Sequence, residues 1–444
     1  MSVRVQITLL SGQSTCIAVH SHDLVRVLRQ QTQSRLQVGI EALVSLSGEK
    51  LTDVASVAEV GLTDGDTVNA LVRRTRLVTS HRSLAIALVH QKGFVVSWGH
   101  DACGGDSSNV KDQLVDVNEL AANEYAFAAL RSDGTVVTWG EARHGGKGFD
   151  GLTNVVHTVA SNSAFAALQA DGHVVTWGLA EVGGDSSGVD TQLFGVKQLQ
   201  ATSAAFAALR ADGHVVTWGM PTAGGDSTRV QDKLTDVHHI YSTSLCFVAT
   251  KSDGSVVVWG DPLLEFDEEE LEQLSDISLV ASSGQAISLL SSDGKVVTLG
   301  PAAARGNSAD LDLSSVQKIQ GSHGAFAALR NDGSVVTWGD SSTGGDSSAV
   351  QRLLQNVWDI QATSHAFAAI RNDGTVVTWG HSIHGGDCSA VKEQLFDVQQ
   401  VAGSFASFAA LREDGAVVAW GNPGSGGHCG RATSELLHAA SCDI

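Results

Sequence analysis

Apolar and polar positions recur along most of this chain with a period of 38 to 41 residues. In each repeat two short apolar runs flank a polar turn, as in residues 205–219, which read AFAALRADGHVVTWG. Asp-Gly between two such runs is a strong signal for a β-hairpin, because both residues tolerate a left-handed backbone. A further alternating run precedes the pair, as in residues 357–363. The pattern therefore predicts three β-strands in each repeat.

Nine copies of this repeat follow one another. Their third apolar run ends in Trp-Gly, with leucine in place of tryptophan in the sixth copy, at Trp98, Trp139, Trp177, Trp218, Trp259, Leu299, Trp338, Trp379 and Trp420. A period this regular indicates one structural unit that buries its faces against copies of itself. We therefore predict a mainly β chain: a β-propeller of about nine short three-stranded blades, closed because closure removes exposed sheet edges. The alternatives are terminal repeats outside the ring or an open solenoid, and residues 436–442 are a candidate closing strand.

The first 74 residues follow a different pattern. Residues 3–10 and 14–19 alternate as two strands, residues 24–28 carry apolar side chains at helical spacing after the potential caps Ser21, His22 and Asp23, and two more apolar runs follow. This ββαββ order, with the phrase GEKLTD at 48–53, resembles the ubiquitin-like β-grasp fold, a small α+β domain. The predicted domains are a ubiquitin-like domain at 1–74, a short basic linker at 75–78, propeller repeats at 79–434 and a tail or closing strand at 435–444.

The ubiquitin-like resemblance implies a candidate recognition patch. Ubiquitin's apolar patch maps onto Leu10, Ser45 and Leu71, with a polar serine where the family has a branched aliphatic residue. The alternative is that the two leucines only edge the core. Residues 73–76 read RRTR where ubiquitin ends in a conjugated glycine pair, so we expect a built-in module rather than a transferable modifier.

A glycine pair lies six residues after most of the tryptophans and is usually followed by Asp-Ser. With the Ala-Leu run, the Asp-Gly turn and Val-Val-x-Trp-Gly, it resembles the regulator-of-chromosome-condensation repeat, in the short form of the β-lactamase inhibitor proteins of that superfamily. The resemblance covers residues 77–434 and implies the propeller fold. The loop aspartates either form an anionic rim for a basic partner or cap the short helical turn behind them. They are Asp106, Asp185, Asp226, Asp346 and Asp387.

The fifth repeat departs from the pattern. Its residues 261–274 lack the glycine pair and are dense in acidic side chains, among them Glu268, Glu269 and Glu270. Such a deviation indicates a binding loop, and the alternative is a solvated acidic helix. A different loop holds His381, His384 and Cys388, but no fourth ligand accompanies them in the sequence. We therefore predict no metal site and no cofactor.

Composition narrows the classes of partner. The chain carries 28 basic and 48 acidic side chains, a net charge of −20, and the part after residue 76 carries −21. This sign repels phosphate backbones, so we predict protein partners with basic surfaces and no nucleic acid. The sequence has no stretch of 18 apolar residues and no signal peptide, so we predict no membrane association. Its six scattered cysteines fit a reducing compartment, which predicts an intracellular protein, cytoplasmic or nuclear.

The sequence contains no phosphate-binding glycine loop and no nucleophile elbow. Nearly interchangeable repeats do not supply the unique set of side chains that catalysis requires. We therefore expect a non-catalytic protein-interaction scaffold, and the fusion of a ubiquitin-like domain to such a propeller indicates a ubiquitin-pathway adaptor. One alternative is a guanine-nucleotide exchange factor for a small GTPase, acting through residues 261–274. Others are a substrate-recognition fragment related to HECT-type ubiquitin ligases but lacking the catalytic domain, and an inhibitor that caps another enzyme's active site.

Overall fold

The computed structural model describes residues 2–53, 55–80, 82–147, 151–262, 271, 274, 276–284, 286–292, 294–300 and 311–430. Residues 2–72 form the amino-terminal module, with the predicted ββαββ order. Its elements are β1 (Ser2–Leu9), β2 (Ser14–His20), α1 (Val25–Leu36), β3 (Ile40–Val44) and β4 (Thr67–Val72). The strand order is β2-β1-β4-β3, with β1 antiparallel to β2 and parallel to β4. The apolar alternation of β1 therefore faces a core shared with α1, in which Val5, Ile7, Ile17 and Leu28 are fully buried.

The start of α1 differs from our expectation. Its N-cap is Leu24, which makes no side-chain cap. The Asp23 carboxylate instead accepts the N–H of His20, 2.7 Å away, and closes the turn before the helix. Among the described residues, no helix is long and apolar enough to cross a membrane.

The remaining described residues form nine three-stranded antiparallel sheets, one for each repeat, which confirms the prediction of three strands per repeat. We number them sheets 1 to 9. Their first strands are Arg76–Val78, Val117–Ala122, Val155–Ala160, Val196–Ala201, Val237–Ser242, Ile277–Ser282, Val316–Gly321, Val357–Ala362 and Val398–Gly403. The strand at 76–78 lies in the segment that the sequence assigned to the linker, so the array of sheets begins there.

The second and third strands form the predicted hairpins. The second strands are Ala85–Val89, Ala126–Arg131, Ala164–Gln169, Ala205–Arg210, Cys246–Lys251, Ile287–Ser291, Ala325–Arg330, Ala366–Arg371 and Ser407–Arg412. The third strands are Val95–Gly99, Val136–Gly140, Val174–Gly178, Val215–Gly219, Val256–Gly260, Val296–Leu299, Val335–Gly339, Val376–Gly380 and Val417–Gly421. Short 3₁₀ helices follow at Asp101–Cys103, Ser108–Gln113, Ala142–His144, Ala180–Val182, Asp190–Gln192, Pro221–Ala223, Gln231–Lys233, Ser341–Thr343, Gln351–Leu353, Ser382–His384, Ser389–Gln394 and Pro423–Ser425.

In the hairpin turns the aspartate and the glycine have different structural roles. We expected both residues to tolerate a left-handed backbone, but in the turn of sheet 2 only Gly134 adopts it, with φ 81°. The Gly134 N–H donates to Arg131 O, and the Arg131 N–H donates to Thr135 O. The Asp133 carboxylate accepts the Thr135 N–H at 3.0 Å. The aspartate therefore closes the turn with its side chain.

An aromatic pair connects each regular sheet to the preceding one. In sheet 4, Phe206 and Trp218 stack with ring centroids 5.4 Å apart. The Trp218 indole N–H donates to the carbonyl of Gly183, in the loop that leaves sheet 3, at 3.0 Å. Trp139, Trp177, Trp259, Trp379 and Trp420 make the same bond to Gly104, Gly145, Gly224, Gly344 and Gly385. These six buried tryptophans thus satisfy their donor on the neighbouring unit, which locks consecutive sheets in register.

The last sheet contacts the first in the same way. The Trp98 indole N–H of sheet 1 donates to the carbonyl of Gly426, in the loop that follows sheet 9, at 3.1 Å. The Gln400 side chain also pairs with the backbone of Leu77, accepting its N–H at 2.8 Å and donating to its carbonyl at 3.0 Å. Side chains of sheet 1 and of sheet 9 therefore both contribute hydrogen bonds to the contact between these two sheets. The candidate closing strand at 436–442 lies outside the described residues.

Candidate functional site

The turns between first and second strands lie side by side and are linked by backbone hydrogen bonds. For example, the Asn162 N–H donates to Ser203 O at 2.8 Å, and the Phe405 N–H of sheet 9 donates to Ser83 O of sheet 1 at 2.9 Å. Between sheets 5 and 6 the Ser244 N–H donates to the Ser282 hydroxyl instead. We call this set the turn circle. It comprises Ser83, Glu124, Asn162, Ser203, Ser244, Gly284, His323, Ser364 and Phe405.

A small polar residue next to the turn circle fixes each regular glycine loop. Thr202 shows the arrangement: its hydroxyl accepts the Ala205 N–H and donates to the carbonyl of Ala223, just before the glycine pair. The equivalent donors are Asn123, Ser161, Ser322, Thr363 and Ser404. The glycine loops therefore lie on the same side of the array as the turn circle. Our sequence reasoning missed these anchors, although a Ser, Thr or Asn three residues before the second strand signals them.

The five loop aspartates occupy this side of the array. Each carboxylate accepts the backbone N–H two residues later at 2.9 Å, as Asp226 does from Thr228. The others are Asp106, Asp185, Asp346 and Asp387. This backbone hydrogen bond lowers the pKa of Asp185, Asp226, Asp346 and Asp387. All five therefore cap their own loops, and a role of their charges in binding stays a prediction.

A cavity of about 430 Å³ opens at the turn circle. It is lined by Arg82 and Glu124 from sheets 1 and 2 and by His323, Ser364 and Phe405 from sheets 7 to 9. Among the described residues, sheet 6 contributes Val280, Ala281, Ser282 and Gly284 to the lining. Charged, polar and aromatic groups thus meet in one opening that our sequence reasoning did not identify.

Two of the three residues considered as metal ligands come together. The rings of His381 and His384 lie 5.0 Å apart. Cys388 is buried and packs in the apolar core between sheets 8 and 9. In the part of the chain that the structure describes, no group of three or more His, Cys, Asp or Glu side chains has the geometry to hold a metal ion.

The leucines of the predicted ubiquitin-like patch are accessible. Leu10 is 88% exposed and Leu71 is 38% exposed, and they follow the paired residues Leu9 and Ala70 of adjacent strands. Both line a groove between the module and the array. Ser45 is half-buried in a turn, where its hydroxyl accepts the Glu49 N–H. The acidic residues Glu268, Glu269 and Glu270 lie outside the described residues.

A buried charge network joins the amino-terminal module to the array. Arg29 of the module and Arg73, which directly follows the module, are fully buried, and both contact the carboxylate of Asp116, with Arg73 Nη2 2.9 Å from Oδ1. Arg29 also pairs with Asp53 at 2.9 Å. Burial alone would raise the pKa of Asp116, but the two guanidinium groups outweigh it and lower that pKa. The module is thus held by desolvated ion pairs. Removing one partner of such a pair is strongly destabilising, because the remaining charge stays buried without a counter-charge.

The backbones at this junction are also in close contact. A Cβ on Gly39 would lie 1.8 Å from the carbonyl oxygen of Gln91. Arg26 donates to the carbonyl of Asp133, at the hairpin turn of sheet 2. Asp116 directly precedes the first strand of sheet 2, whereas the turn circle follows that strand. The module therefore sits at the edge of the array opposite the turn circle.

The arginines that precede the hairpin turns are largely covered by neighbouring side chains. Their side chains are 16% to 28% exposed and pair with nearby aspartates. The guanidinium groups of Arg210 and Arg412 also stack on the rings of Phe194 and Phe396, at 3.9 and 3.6 Å. These arginines cover apolar surface at the edge of the array where the hairpin turns lie, which we call the hairpin edge. The residues are Arg131, Arg210, Arg330, Arg371 and Arg412.

Polar side chains also connect the first strands of adjacent sheets. His157 Nδ1 lies 3.0 Å from the Glu119 carboxylate, and Lys318 pairs with Asp359. The hydrogen bond to Glu119 raises the pKa of His157. Burial would raise the pKa of Glu119, but its hydrogen bonds outweigh burial and lower it. The third position of the first strand is thus used for contacts between sheets.

Comparisons with known proteins give structural likeness only. No family model matches the chain, and no curated protein sequence matches it. Similar solved structures include Prp20p from Saccharomyces cerevisiae, at 15% identity over 84% of this chain and 96% of that chain, with a TM-score of 0.41. The CRINKLY WD40 ectodomain of the Arabidopsis thaliana receptor kinase ACR4 has 17% identity over 59% and 93%, with a TM-score of 0.36. The UBL domain of Plasmodium falciparum Dsk2 has 22% identity over 16% and 96%, with a TM-score of 0.15. No family is assigned on this basis.

Proposed function

We propose that this chain is a non-catalytic protein-interaction scaffold that serves as an adaptor in the ubiquitin pathway. In this proposal the amino-terminal module is a ubiquitin-like domain, and the nine sheets are the blades of one closed propeller. The observation that carries it is the position of the module. Its junction uses Arg29, Arg73 and Asp116 at the hairpin edge, so the turn circle and the Leu10–Leu71 edge both stay accessible.

Two surfaces are thus available to two classes of partner. The Leu10–Leu71 edge offers exposed leucines to a ubiquitin-system component. The turn circle and its loops carry five capped aspartates in a part of the chain with a net charge of −21, which favours a partner with a basic surface. A scaffold that binds both would bring the second partner to the first.

Affinity capture with mass spectrometry tests the adaptor role on the full chain. We expect proteasome or ubiquitin-conjugation components with the unmodified chain and their loss with Leu10→Asp/Leu71→Asp. The matched control is Leu353→Asp, which charges a leucine of the array that is 50% exposed. If the unmodified chain recovers no such component, the ubiquitin-pathway assignment is wrong. Partners that both variants retain would then be attributed to the array.

A guanine-nucleotide exchange factor is the second candidate. The observation behind it is the sequence of the acidic loop at 261–274, where the regular glycine pair is missing. Nucleotide release from purified small GTPases tests it. If the chain accelerates nucleotide release and the variant Leu10→Asp/Leu71→Asp does so equally, nucleotide exchange is favoured over the adaptor role.

A further inference from the structure

Four histidines from sheets 7 and 8 gather beside the turn circle, and we call them the histidine group: His323, His365, His381 and His384. The ring of His365 is central, with centroid distances of 4.5 Å to His384, 5.5 Å to His323 and 6.4 Å to His381. His323 and His381 are exposed, and the other two are half-buried. The group comes from the turns of two sheets and the glycine loop that follows sheet 8.

The hydroxyl of Ser364 determines which ring nitrogens carry protons. It donates its hydrogen to Phe405 O at 2.6 Å. His365 Nδ1 and His384 Nδ1 lie 2.8 and 2.9 Å from the Ser364 hydroxyl oxygen. A hydroxyl has one hydrogen to donate, so both imidazoles must donate to its lone pairs. In their neutral forms His365 and His384 therefore carry the proton on Nδ1, and their Nε2 atoms are hydrogen-bond acceptors.

Charged and apolar groups surround the histidine group. Asp340, from the loop after sheet 7, is near His365 and His323, while Arg82 and Glu124 line the same cavity as His323. Burial and the neighbouring histidines lower the pKa of His365. Burial also lowers the pKa of His384, against the opposing effect of the Phe405 carbonyl. The ring of Phe405, 39% exposed, lies 5.8 Å from that of His384, and Ile383, 61% exposed, directly precedes His384 in the chain.

We propose that the histidine group is a pH-sensitive contact for a basic, leucine-containing peptide segment of a protein partner. The inference rests on the proposed scaffold function and names the partner chemistry of the turn-circle surface. At neutral pH the imidazole acceptors and Asp340 take up lysine or arginine N–H groups, and Ile383 and Phe405 pack against the aliphatic side chains. The charge of the array, −21 beyond residue 76, favours the same partner.

Protonation reverses this preference. A proton gained by His365 or His384 turns an Nε2 acceptor into a donor and adds a positive charge within a few ångströms of the bound cation. The bound peptide therefore disfavours protonation of these two rings, and its affinity falls as the pH drops through their pKa values. Two such charges at short range reduce the affinity by about tenfold or more between pH 7.5 and pH 5.5.

Fluorescence anisotropy with a labelled lysine- and leucine-rich peptide tests the proposal on the full chain. The variant His365→Asn/His384→Asn keeps an amide donor for Ser364 but does not titrate. We expect its affinity to change by less than about twofold over the same pH range. The control His173→Asn/His214→Asn removes two histidines that pair with Asp171 and Asp212 at the hairpin edge, and it should behave like the unmodified chain.

Three results would overturn the proposal: no binding at pH 7.5, equal affinity at both pH values, or a pH dependence that survives in the first variant. None of them bears on the capture experiment, which tests the scaffold function separately. Should that variant not fold, carbethoxylation of the unmodified chain by diethyl pyrocarbonate gives a second readout. The peptide should protect His365 and His384 at pH 7.5, and unprotected rings would contradict the proposed contact.

Discussion

Replacing Asp116 by asparagine should release the amino-terminal module from the array. The substitution keeps the size of the side chain, and asparagine tolerates the left-handed backbone of this position, φ 53°. It removes the carboxylate that faces Arg29 and Arg73, both fully buried. The perturbation is therefore a loss of charge at constant shape.

The magnitude follows from the burial of the two guanidinium groups. Removing one partner of a buried ion pair costs about 3–5 kcal/mol, because the remaining charge stays desolvated. Asp116 is 18% exposed, and Arg29 keeps Asp53 while Arg73 keeps the Asn118 side chain at 2.8 Å. We therefore expect the lower end, about 3 kcal/mol. This corresponds to an opening of the junction that is roughly a hundredfold more frequent.

Native-state hydrogen exchange on the full chain measures this opening. Amides of residues 39–44 and 73–93 should exchange faster in Asp116→Asn by the factor above. The matched control is Asp236→Asn, the same position before the first strand of sheet 5, which has φ 55° and is exposed. Equal exchange in the two variants would show that the charge network does not hold the module.

Three further predictions concern the array. Trp218→Ala should lower the free energy of unfolding by about 3–5 kcal/mol in a urea titration, because the indole is 4% exposed and ties sheet 4 to sheet 3; Trp218→Phe should cost less. Gly104→Ala should destabilise the fold in the same titration, because φ is 90° and a Cβ would lie 2.6 Å from Phe127. The control Gly12→Ala has a similar φ of 88° but open space around the Cβ, so it measures the cost of the backbone conformation without a steric clash. Folding raises the pKa of His157, so its contribution to stability is present below the unfolded pKa and is lost as the pH rises through the folded pKa. The variant His157→Gln should therefore lack this pH dependence of stability between pH 5 and 8, as measured by thermal unfolding.

The repeat could be predicted from the sequence because its signals are local. Alternation within six residues, the Asp-Gly turn and the recurring aromatics specify strands, hairpins and buried positions without reference to the rest of the chain. The detail of the turn was wrong, since Asp133 closes it with its carboxylate rather than with a left-handed backbone. The caps of α1 were wrong for a related reason. Short polar side chains such as Asp23 have several backbone donors within reach, and the pattern does not choose among them.

The junction and the histidine group could not be predicted, because their members are far apart in the sequence. Arg29 and Asp116 are separated by 87 positions, and Arg73 lies in a basic run that is typical of an exposed linker. His323 and His365 occupy turns whose residues vary from repeat to repeat. Only the packing of sheet 7 against sheet 8 shows that their rings stack. Such contacts depend on register between units, which a repeat pattern leaves open.

The joint between sheets 9 and 1 shows what the repeat pattern alone can still determine. It uses the same groups as the joints within the array: an indole N–H to a loop carbonyl at Trp98, and a turn-to-turn backbone bond at Phe405. An apolar cluster of Leu77, Ile86, Trp98, Ala402 and Leu411 fills the space between the two sheets. Because the first repeat carries the tryptophan and the last carries the glycine loop, the last unit can bind the first without a special sequence. The contact therefore follows from the number of repeats and the angle between neighbouring sheets, and it covers the two sheet faces that an open array would expose.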